Sequence, residues 1–329
     1  MVHEMNIVKL AFFIILLSFQ GQALAVKLHF PVECKLGESC WIANLPRHHI
    51  QGKQVDFRCG PNTYRNHKGT DIALRDLKQM EEGVNVISPF DGEVKALRNH
   101  VNDVSTRDMG KKAIKGIECG NGVVIDSKDT QVQLCHLKKG SVKVKIGQKI
   151  KAGDVIGQVG LSGMTEYPHL HISVRENTSG EYQEIDPFYG AQASCGLTPR
   201  PMWADAELMD KHARTGVVYN YGFMFGSHNA KQIRSGNFTE KQPSRPREFV
   251  GFVDIFSVNR GDVLTMSIGE LDGRELVKRG HKFSKYQARY LFFIGKNLRG
   301  NRLSGKYQLN IQYVHSNGKI DRFKKIIDL

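Results

Sequence analysis

The sequence contains little proline, 10 residues in 329, and no apolar run of the roughly 20 residues that span a membrane. With 33 glycines and 9% aromatic residues, the composition excludes a collagen-like or disordered chain. The length and the 40% hydrophobic content are sufficient for two globular domains with their own cores. Acidic residues are also scarce, 33 against 47 basic ones, giving a formal net charge of +14. We therefore expect an anionic partner, which is nucleic acid, an acidic membrane surface or a cell-wall polymer.

The N-terminal sequence narrows the choice among these anionic partners. A short apolar run, Leu10 to Phe19, follows Lys9 and precedes Ala23-Leu24-Ala25. This order of a charged start, a short apolar segment and a small-x-small site is typical of a secretory signal peptide. A buried core helix is the alternative, but the terminal position and the cleavage site argue against it. We predict a signal peptide over residues 1–25 and an exported mature protein, periplasmic or secreted, with no transmembrane segment and no nucleic-acid partner.

The cysteines fit an exported chain. All six lie after the predicted cleavage site, and none belongs to a C-x-x-C pair, which disfavours a zinc-binding cysteine cluster. An even number of cysteines in an exported chain predicts up to three disulfides. Cys34 and Cys40 are close enough to form a local loop, and Cys119 and Cys135 flank a predicted hairpin and could bridge across it. The sequence leaves the pairing of Cys59 and Cys195 open.

The sequence pattern predicts that most of the regular secondary structure is β-strand. Short β-type runs separated by Gly or Asp turns fill residues 84–172 and predict an antiparallel sheet. The stretch G-L-T-P-R-P at 196–201 indicates a linker. Alternating runs then recur at 216–225, 249–258, 263–268, 288–295 and 307–314. They predict about seven strands in an immunoglobulin-like β-sandwich. The polar, proline-containing residues 232–247 are predicted to form a mobile loop.

Two sequence segments place histidine near other groups that bind metals. His67 and Asp71 lie four residues apart in N-H-K-G-T-D-I-A, where Gly69 permits a turn between them. His136 ends the predicted strand V-Q-L-C-H-L. Most of the other histidines have no charged or histidine partner at useful spacing and are expected to be surface or partly satisfied residues rather than ligands.

A third segment, P-H-L-H-I-S-V, carries His169 and His171. Residues i and i+2 of a strand point to the same face, so these imidazoles lie side by side. Imidazoles and one carboxylate suit zinc, and a catalytic zinc site keeps one position open. The residues alone therefore predict three ligands, namely His67, Asp71 and one of His169 or His171. The remaining histidines are available for proton transfer.

The order of the motifs resembles a known family. N-H-K-G-T-D-I-A, V-I-S-P-F-D-G-E-V, G-N-G-V-V-I-D, Q-L-C-H-L, A-G-D-V-I-G-Q-V-G-L-S-G and P-H-L-H-I-S-V follow one another between about residues 64 and 188. This is similar to the LytM/lysostaphin-type zinc metallopeptidases, peptidase family M23. The resemblance implies that His67, Asp71 and His171 bind one zinc ion and that His136 and His169 are the catalytic histidines. It also implies hydrolysis of peptide cross-links or stem peptides of bacterial peptidoglycan.

Two segments depart from the common family pattern. S-G-M-T-E-Y-P precedes H-L-H, and extra residues are inserted around 99–116. Both lie on loops that could border the substrate cleft, so the bond that is cut is not predicted. Glu166, in the first segment, is expected to be a surface carboxylate.

Together with the resemblance, the sequence predicts five consecutive segments. They are a signal peptide (1–25), an N-terminal disulfide-containing segment (26–63), an M23 zinc peptidase domain (64–190), a linker (191–201) and a basic β-sandwich domain (202–329). A catalytically silent LytM-like module, which binds the wall or regulates a wall hydrolase, is the alternative function. All five motif positions are present, and this favours the enzyme. A third alternative is an adhesion or scaffold factor that acts through the C-terminal domain.

The positive charge is unevenly distributed. Residues 26–190 hold 23 basic and 20 acidic side chains, whereas residues 191–329 hold 23 and 12. We expect the C-terminal domain either to present a solvated basic surface or to bind anionic wall polymer or outer-membrane lipid.

Overall fold

The computed structural model describes residues 26–50, 52–190, 201–226 and 229–329. The predicted signal peptide, most of the predicted linker and Cys195 lie outside the described residues. The prediction of a mostly antiparallel β protein is confirmed, with a large sheet in the first part of the chain and a β-sandwich in the second. No helix among the described residues is long and apolar enough to cross a membrane.

The first part is built on one eight-stranded sheet. Its strands are Cys40–Asn44 (β1), Thr70–Leu74 (β4), Gly92–Arg98 (β6), Asn121–Ser127 (β7), Thr130–Leu137 (β8), Lys149–Ile150 (β9), His169–Thr178 (β11) and Glu181–Ile185 (β12). The order is β1-β4-β11-β8-β7-β6-β9, and β12 also pairs with β11. Smaller pairs are formed by His48–Ile50 (β2) with Lys53–Val55 (β3), and by Asn85–Ile87 (β5) with Val155–Gln158 (β10). Helices Leu77–Glu82 (α1) and Thr106–Met109 (α2) and the 3-10 helix Lys111–Ile114 lie in the connections.

Alternation of side chains explains how these strands form. In β8 (T-Q-V-Q-L-C-H-L), Val132 and Leu134 are fully buried, while Gln131 and Gln133 between them are partly exposed. Period-2 patterning of this kind is expected for a strand with one face on the core. The central strands β4, β11 and β8 lie side by side, so the motifs that carry histidine and aspartate meet in the middle of the sheet.

The N-terminal segment is part of this sheet. Strand β1 pairs antiparallel with β4, and Asn44 lies opposite Asp71. The disulfide between Cys34 and Cys40 closes a loop directly before β1, as predicted. The predicted disulfide between Cys119 and Cys135 is also confirmed. The segment therefore supplies a strand next to one of the candidate metal ligands.

The second part is a sandwich of two sheets, and the predicted total of seven strands is confirmed. One sheet contains Val217–Phe225 (β13), Glu248–Val258 (β14) and Gln287–Asn297 (β17), in the order β13-β14-β17. The other contains Val263–Glu270 (β15), Glu275–Lys282 (β16), Lys306–Val314 (β18) and Ile320–Asp328 (β19), in the order β16-β15-β18-β19. Phe249, Val253, Met266 and Leu309 are among the buried side chains that the two sheets share as a core.

Two helices accompany the sandwich. Ala206–His212 (α3) precedes β13, and Ala230–Ser235 (α4) lies between β13 and β14. The prediction of a loop over 232–247 missed the end of α4. The helix forms because the Asn229 side chain caps its first turn and Ile233 is buried against Met224 and Phe252.

The sandwich packs against the first sheet. Trp41 and Ala73 of β1 and β4 form a buried cluster with Val217, Tyr219 and Phe256 of the sandwich. The contact brings the second part of the chain to the edge of the sheet that carries the candidate site.

Candidate metal centre and active site

The antiparallel register assembles the three predicted metal ligands. His171 on β11 lies directly opposite Asp71 on β4, and His67 lies in the loop that leads into β4, three residues before the strand begins. The Asp71 Oδ1 atom is 2.8 Å from His171 Nδ1 and 3.0 Å from His67 Nε2, and these two nitrogens are 3.3 Å apart. Among the described residues, these three side chains form a cluster whose ligand atoms all lie within 4.8 Å of one another.

Hydrogen bonds show that this cluster fits a cation. His67 Nδ1 lies 2.7 Å from the Leu45 carbonyl oxygen, and because that oxygen only accepts, Nδ1 donates. When the ring is neutral, Nε2 therefore points its lone pair at the Asp71 carboxylate. Two acceptors at this distance repel unless a cation or a proton lies between them. Ligand atoms 2.0–2.1 Å from a tetrahedral zinc would be about 3.3 Å apart, close to the distances observed here.

Further contacts hold the Asp71 carboxylate and the His67 ring in place. Asn44 Nδ2 donates to Asp71 Oδ2 at 3.0 Å and also to the Tyr167 hydroxyl at 2.9 Å. Tyr64 stacks on the His67 ring at 4.2 Å between centroids. Partners of this kind orient metal ligands in proteins.

The electrostatics favour an ionised carboxylate among imidazoles. Burial raises the pKa of Asp71, but the neighbouring imidazoles of His67, His169 and His171 outweigh this effect, and the pKa lies well below its usual range. Burial lowers the pKa of His171, so its ring is neutral and able to act as a ligand near pH 7. Burial also lowers the pKa of His67, but the Asp71 charge outweighs this effect and the pKa is raised.

The two predicted catalytic histidines lie beside this cluster. His136 and His169 are buried, with ring centroids 4.6 Å apart. His136 Nδ1 donates to the Ser162 carbonyl at 2.8 Å, and His169 Nδ1 donates to the Tyr167 carbonyl at 2.9 Å. In the neutral form of either ring, Nε2 therefore keeps a lone pair. Nε2 of His169 is buried without a hydrogen-bond partner, 3.4 Å from Asp71 Oδ1.

A β-bulge directs His136 into the site. Cys135 and Leu137 pair with the consecutive residues Gly122 and Asn121, which leaves His136 as an extra residue with φ of 63°. Such bulges re-aim a side chain and are frequent next to active sites. Burial, together with the nearby His169 and His171 rings, holds the pKa of His136 well below its ordinary value. Its ring is therefore a neutral proton acceptor near pH 7.

Close contacts constrain Gly69, in addition to the turn for which the sequence suggested it. A Cβ atom at Gly69 would lie 2.3 Å from the Ile172 carbonyl oxygen and 2.7 Å from His171 Nε2. Strand β11 thus approaches the backbone too closely for any side chain.

The structure brings all five predicted site residues together and adds three that the sequence did not indicate: Asn44, Tyr64 and Tyr167. Tyr167 stacks on His169 at 4.7 Å between centroids, and the Arg289 guanidinium of the sandwich lies over the Tyr167 ring, 5.4 Å from its centroid. Tyr167 lies only two residues before His169, and this proximity was the one available signal. Asn44 lies in a segment without a recognisable motif.

The two segments that depart from the family pattern contact each other. Thr106 of the inserted segment donates to the Thr165 carbonyl, and Arg107 pairs with Glu166 at 2.6 Å. Glu166 is exposed, as predicted, but it has this basic partner. Both segments line a groove of about 470 Å³ that also reaches Tyr167 and Arg289. The inserted residues and the sandwich therefore both lie beside the candidate active site.

Comparison with known proteins agrees with this geometry. Residues 65–187 match peptidase family M23. The resemblance read from the motifs is thereby confirmed over this range. We refer below to these residues as the M23 region.

Solved structures also match parts of this chain. A variant of the catalytic domain of the prophage-encoded M23 protein EnpA from Enterococcus faecalis is 22% identical, covering 44% of this chain and 88% of that chain at a TM-score of 0.29. The antimicrobial peptidase lysostaphin from Staphylococcus simulans is 16% identical, covering 85% of this chain and 87% of that chain at a TM-score of 0.29. A zinc-containing peptidase from Vibrio cholerae is 22% identical, covering 48% of this chain and 41% of that chain at a TM-score of 0.27.

Proposed function

We propose that the protein is an exported zinc metalloendopeptidase that hydrolyses peptide cross-links or stem peptides of peptidoglycan. The observation that carries the proposal is the convergence of His67, Asp71 and His171 on one point, with two further histidines beside it. A silent module has no use for buried, neutral histidines next to a metal site. The M23 match supports a peptidase of this kind.

The residues of the site have distinct tasks in this proposal. His67, Asp71 and His171 hold the zinc, and zinc bound there would polarise the scissile carbonyl and lower the pKa of a bound water. His136 and His169 each donate the Nδ1 proton to a backbone carbonyl. Nε2 of each ring is therefore available as a proton acceptor. One accepts the proton of the attacking water and passes it to the leaving amine, and the protonated ring stabilises the developing negative charge.

Two further observations support the substrate and the location. Cell-wall peptides are the substrates that the resemblance to the M23 family implies. The disulfides Cys34–Cys40 and Cys119–Cys135 favour an oxidising compartment outside the cytoplasm.

Substitution of the histidines tests the assignment. His171→Ala is expected to abolish both zinc binding, measured by elemental analysis, and release of soluble fragments from purified peptidoglycan. His136→Ala and His169→Ala should retain about one zinc per chain and lose about 100-fold or more in activity. The exposed His100 is a matched control, and His100→Ala should behave like the parent. A His171→Ala variant that digests peptidoglycan as well as the parent would refute the proposal. Mass spectrometry of the fragments identifies the bond.

A further inference from the structure

The four-stranded sheet of the sandwich has an outer face that takes no part in the proposed hydrolysis. Along β15 and β18 the inward residues are buried in the core, among them Leu264, Met266, Leu309 and Ile311. The residues between them point away from the core because side chains alternate along a strand. This outward set gives the domain a second surface with its own chemistry.

The register arranges this face in two adjacent rows across all four strands. One row is Lys278–Ser267–Asn310–Lys324, and the next is Gly280–Thr265–Gln312–Arg322. We call these eight residues the basic face. Hydroxyl and amide groups occupy its two central strands, and cations occupy the outer strands β16 and β19. Since neighbouring strands are about 4.8 Å apart, the cations lie on either side of a polar floor about 14 Å wide.

The shape and charge of the face suit an anionic ligand. A cavity of about 350 Å³ lies over it, and its lining includes no acidic residue. Lys278, Arg322 and Lys324 are exposed. Within the described chain, Arg322 and Lys324 have no carboxylate within 4.0 Å, and Lys278 has only Glu275 at 4.0 Å. Thr265, Ser267 and Gln312 make no side-chain hydrogen bond to another described residue, so their polar groups face solvent or a ligand.

The composition of the rows indicates which anion fits. Membrane-binding faces carry apolar or tryptophan side chains that enter the lipid, and single-stranded nucleic acid is bound on aromatic side chains that stack with bases. Neither type of side chain occurs in the two rows. The apolar residues nearest to them are Ile311 and Phe323 in the lining of the cavity, and the exposed Ile320 and Ile326 at the next outward positions of β19. A hydroxyl and amide floor between cations instead matches a polymer that carries both hydroxyl groups and phosphate or carboxylate groups. We propose that the basic face binds a polyol-phosphate polymer of the cell wall, and so retains the enzyme on its substrate.

This inference rests on the proposed function for its location at the wall, but its test is independent of catalysis. The full chain is mixed in the cold with peptidoglycan sacculi that carry covalently linked phosphate polymer, and bound protein is measured after pelleting. Parallel samples contain the same sacculi stripped of polymer by hydrofluoric acid, and vesicles of phosphatidylcholine and phosphatidylglycerol. Binding to the first sample should exceed binding to the other two and should fall as salt rises from about 0.05 M to about 0.5 M.

A matched pair of variants separates the face from general charge. The triple variant Lys278→Gln, Arg322→Gln, Lys324→Gln should weaken binding about tenfold. The control Lys241→Gln, Arg299→Gln, Arg302→Gln removes the same charge from exposed positions elsewhere in the sandwich and should leave binding within about twofold of the parent. Both should cleave a soluble peptidoglycan peptide at the parental rate, if the proposed function holds.

Three results would overturn the inference. They are equal loss of binding in both triple variants, undiminished binding to stripped sacculi, and equal or stronger binding to the vesicles. Loss of cleavage with intact, polymer-dependent binding would instead count against the proposed hydrolysis and leave the basic face standing.

Discussion

At the scale of single residues, the site depends on which ring nitrogen of each histidine carries the proton. The carbonyl groups of Leu45, Ser162 and Tyr167 accept from Nδ1 of His67, His136 and His169, respectively. Backbone carbonyls keep this role whatever their side chains are. The tautomers of the site are therefore set by the path of the main chain, and the side chains at the accepting positions can vary without changing the chemistry.

Gly69→Ala tests the close approach of β11 to the metal-binding loop. The added Cβ would meet Ile172 and His171, so we expect a loss of about 1–3 kcal/mol in the free energy of unfolding. We also expect weaker zinc binding, because His171 must move. Urea denaturation and chelator competition measure the two effects. Gly280→Ala is the control, since its Cβ would meet nothing closer than 3.6 Å. Unchanged zinc affinity in Gly69→Ala would contradict this view.

Asn44→Ala tests the hydrogen bond that orients Asp71. Removal of a partner of a metal ligand typically weakens metal binding by about 10- to 100-fold, and we expect a loss in this range. Tyr167→Phe removes the other partner of Asn44 but keeps the bond to Asp71, so its effect on zinc affinity should be smaller. Competition with a chromogenic chelator measures both variants. Equal affinities for Asn44→Ala and the parent would show that Asp71 does not need Asn44 as an orienting partner.

At the scale of elements, the disulfide between Cys119 and Cys135 joins the segment before β7 to the end of β8. His136 follows directly, and its backbone N–H donates to the Cys119 carbonyl at 2.8 Å. The bridge closes a loop with a sequence separation of 16 residues. It therefore holds the bulge that carries one of the proposed catalytic histidines.

Replacement of both cysteines of this bridge by serine should lower the free energy of unfolding by about 3 kcal/mol and reduce activity even where the variant is folded. Activity assays well below the unfolding midpoint separate the two effects. The variant Cys34→Ser, Cys40→Ser is the control, because its bridge is remote from His136 in the chain. It should lose stability but keep more activity. An equal loss of activity in both double variants would argue against a role for the Cys119–Cys135 bridge at His136.

The strands differ in how well the sequence pattern located them. Strands with regular alternation, such as β8 and β18, were located from the sequence because one face of each is buried. Strands β16 and β19 were not located individually. Both lie at sheet edges, and charged residues dominate their patterns. The candidate ligands followed from short spacings and the motif order, whereas Asn44 contacts Asp71 across 27 residues, a distance that local patterns do not encode.

At the scale of the whole molecule, ion pairs connect the segment before the sandwich to its last strand. Arg214 lies between α3 and β13, and its side chain donates to Asp321 of β19 at 2.8 Å. His315 lies 2.9 Å from the same carboxylate. Burial raises the pKa of Asp321, but His315 and Arg214 outweigh it and the pKa is lowered. The charge of Asp321 therefore helps to hold the connection in place.

The lowered pKa of Asp321 predicts how this contribution depends on pH. A carboxylate with a lowered pKa stabilises the folded state above its unfolded pKa of about 3.9, and the contribution disappears as pH falls through the folded pKa. Asp321→Asn should thus lower the free energy of unfolding by about 1–3 kcal/mol at neutral pH. The difference from the parent should shrink in strongly acidic solution. Urea titrations at several pH values provide the measurement, and a difference that is independent of pH would exclude this electrostatic origin.

The pairing of β1 with β4 has a practical consequence for work on isolated fragments. A fragment cut to the 65–187 family match would lack β1, and β4 would become an open edge with unpaired backbone groups beside Asp71. Exposed edges of this kind promote self-association, and Asp71 would also lose its amide partner. We expect such a fragment to aggregate and to bind zinc poorly. A minimal fragment meant to retain the candidate site must therefore begin ahead of the Cys34–Cys40 loop, outside the range that family comparison marks.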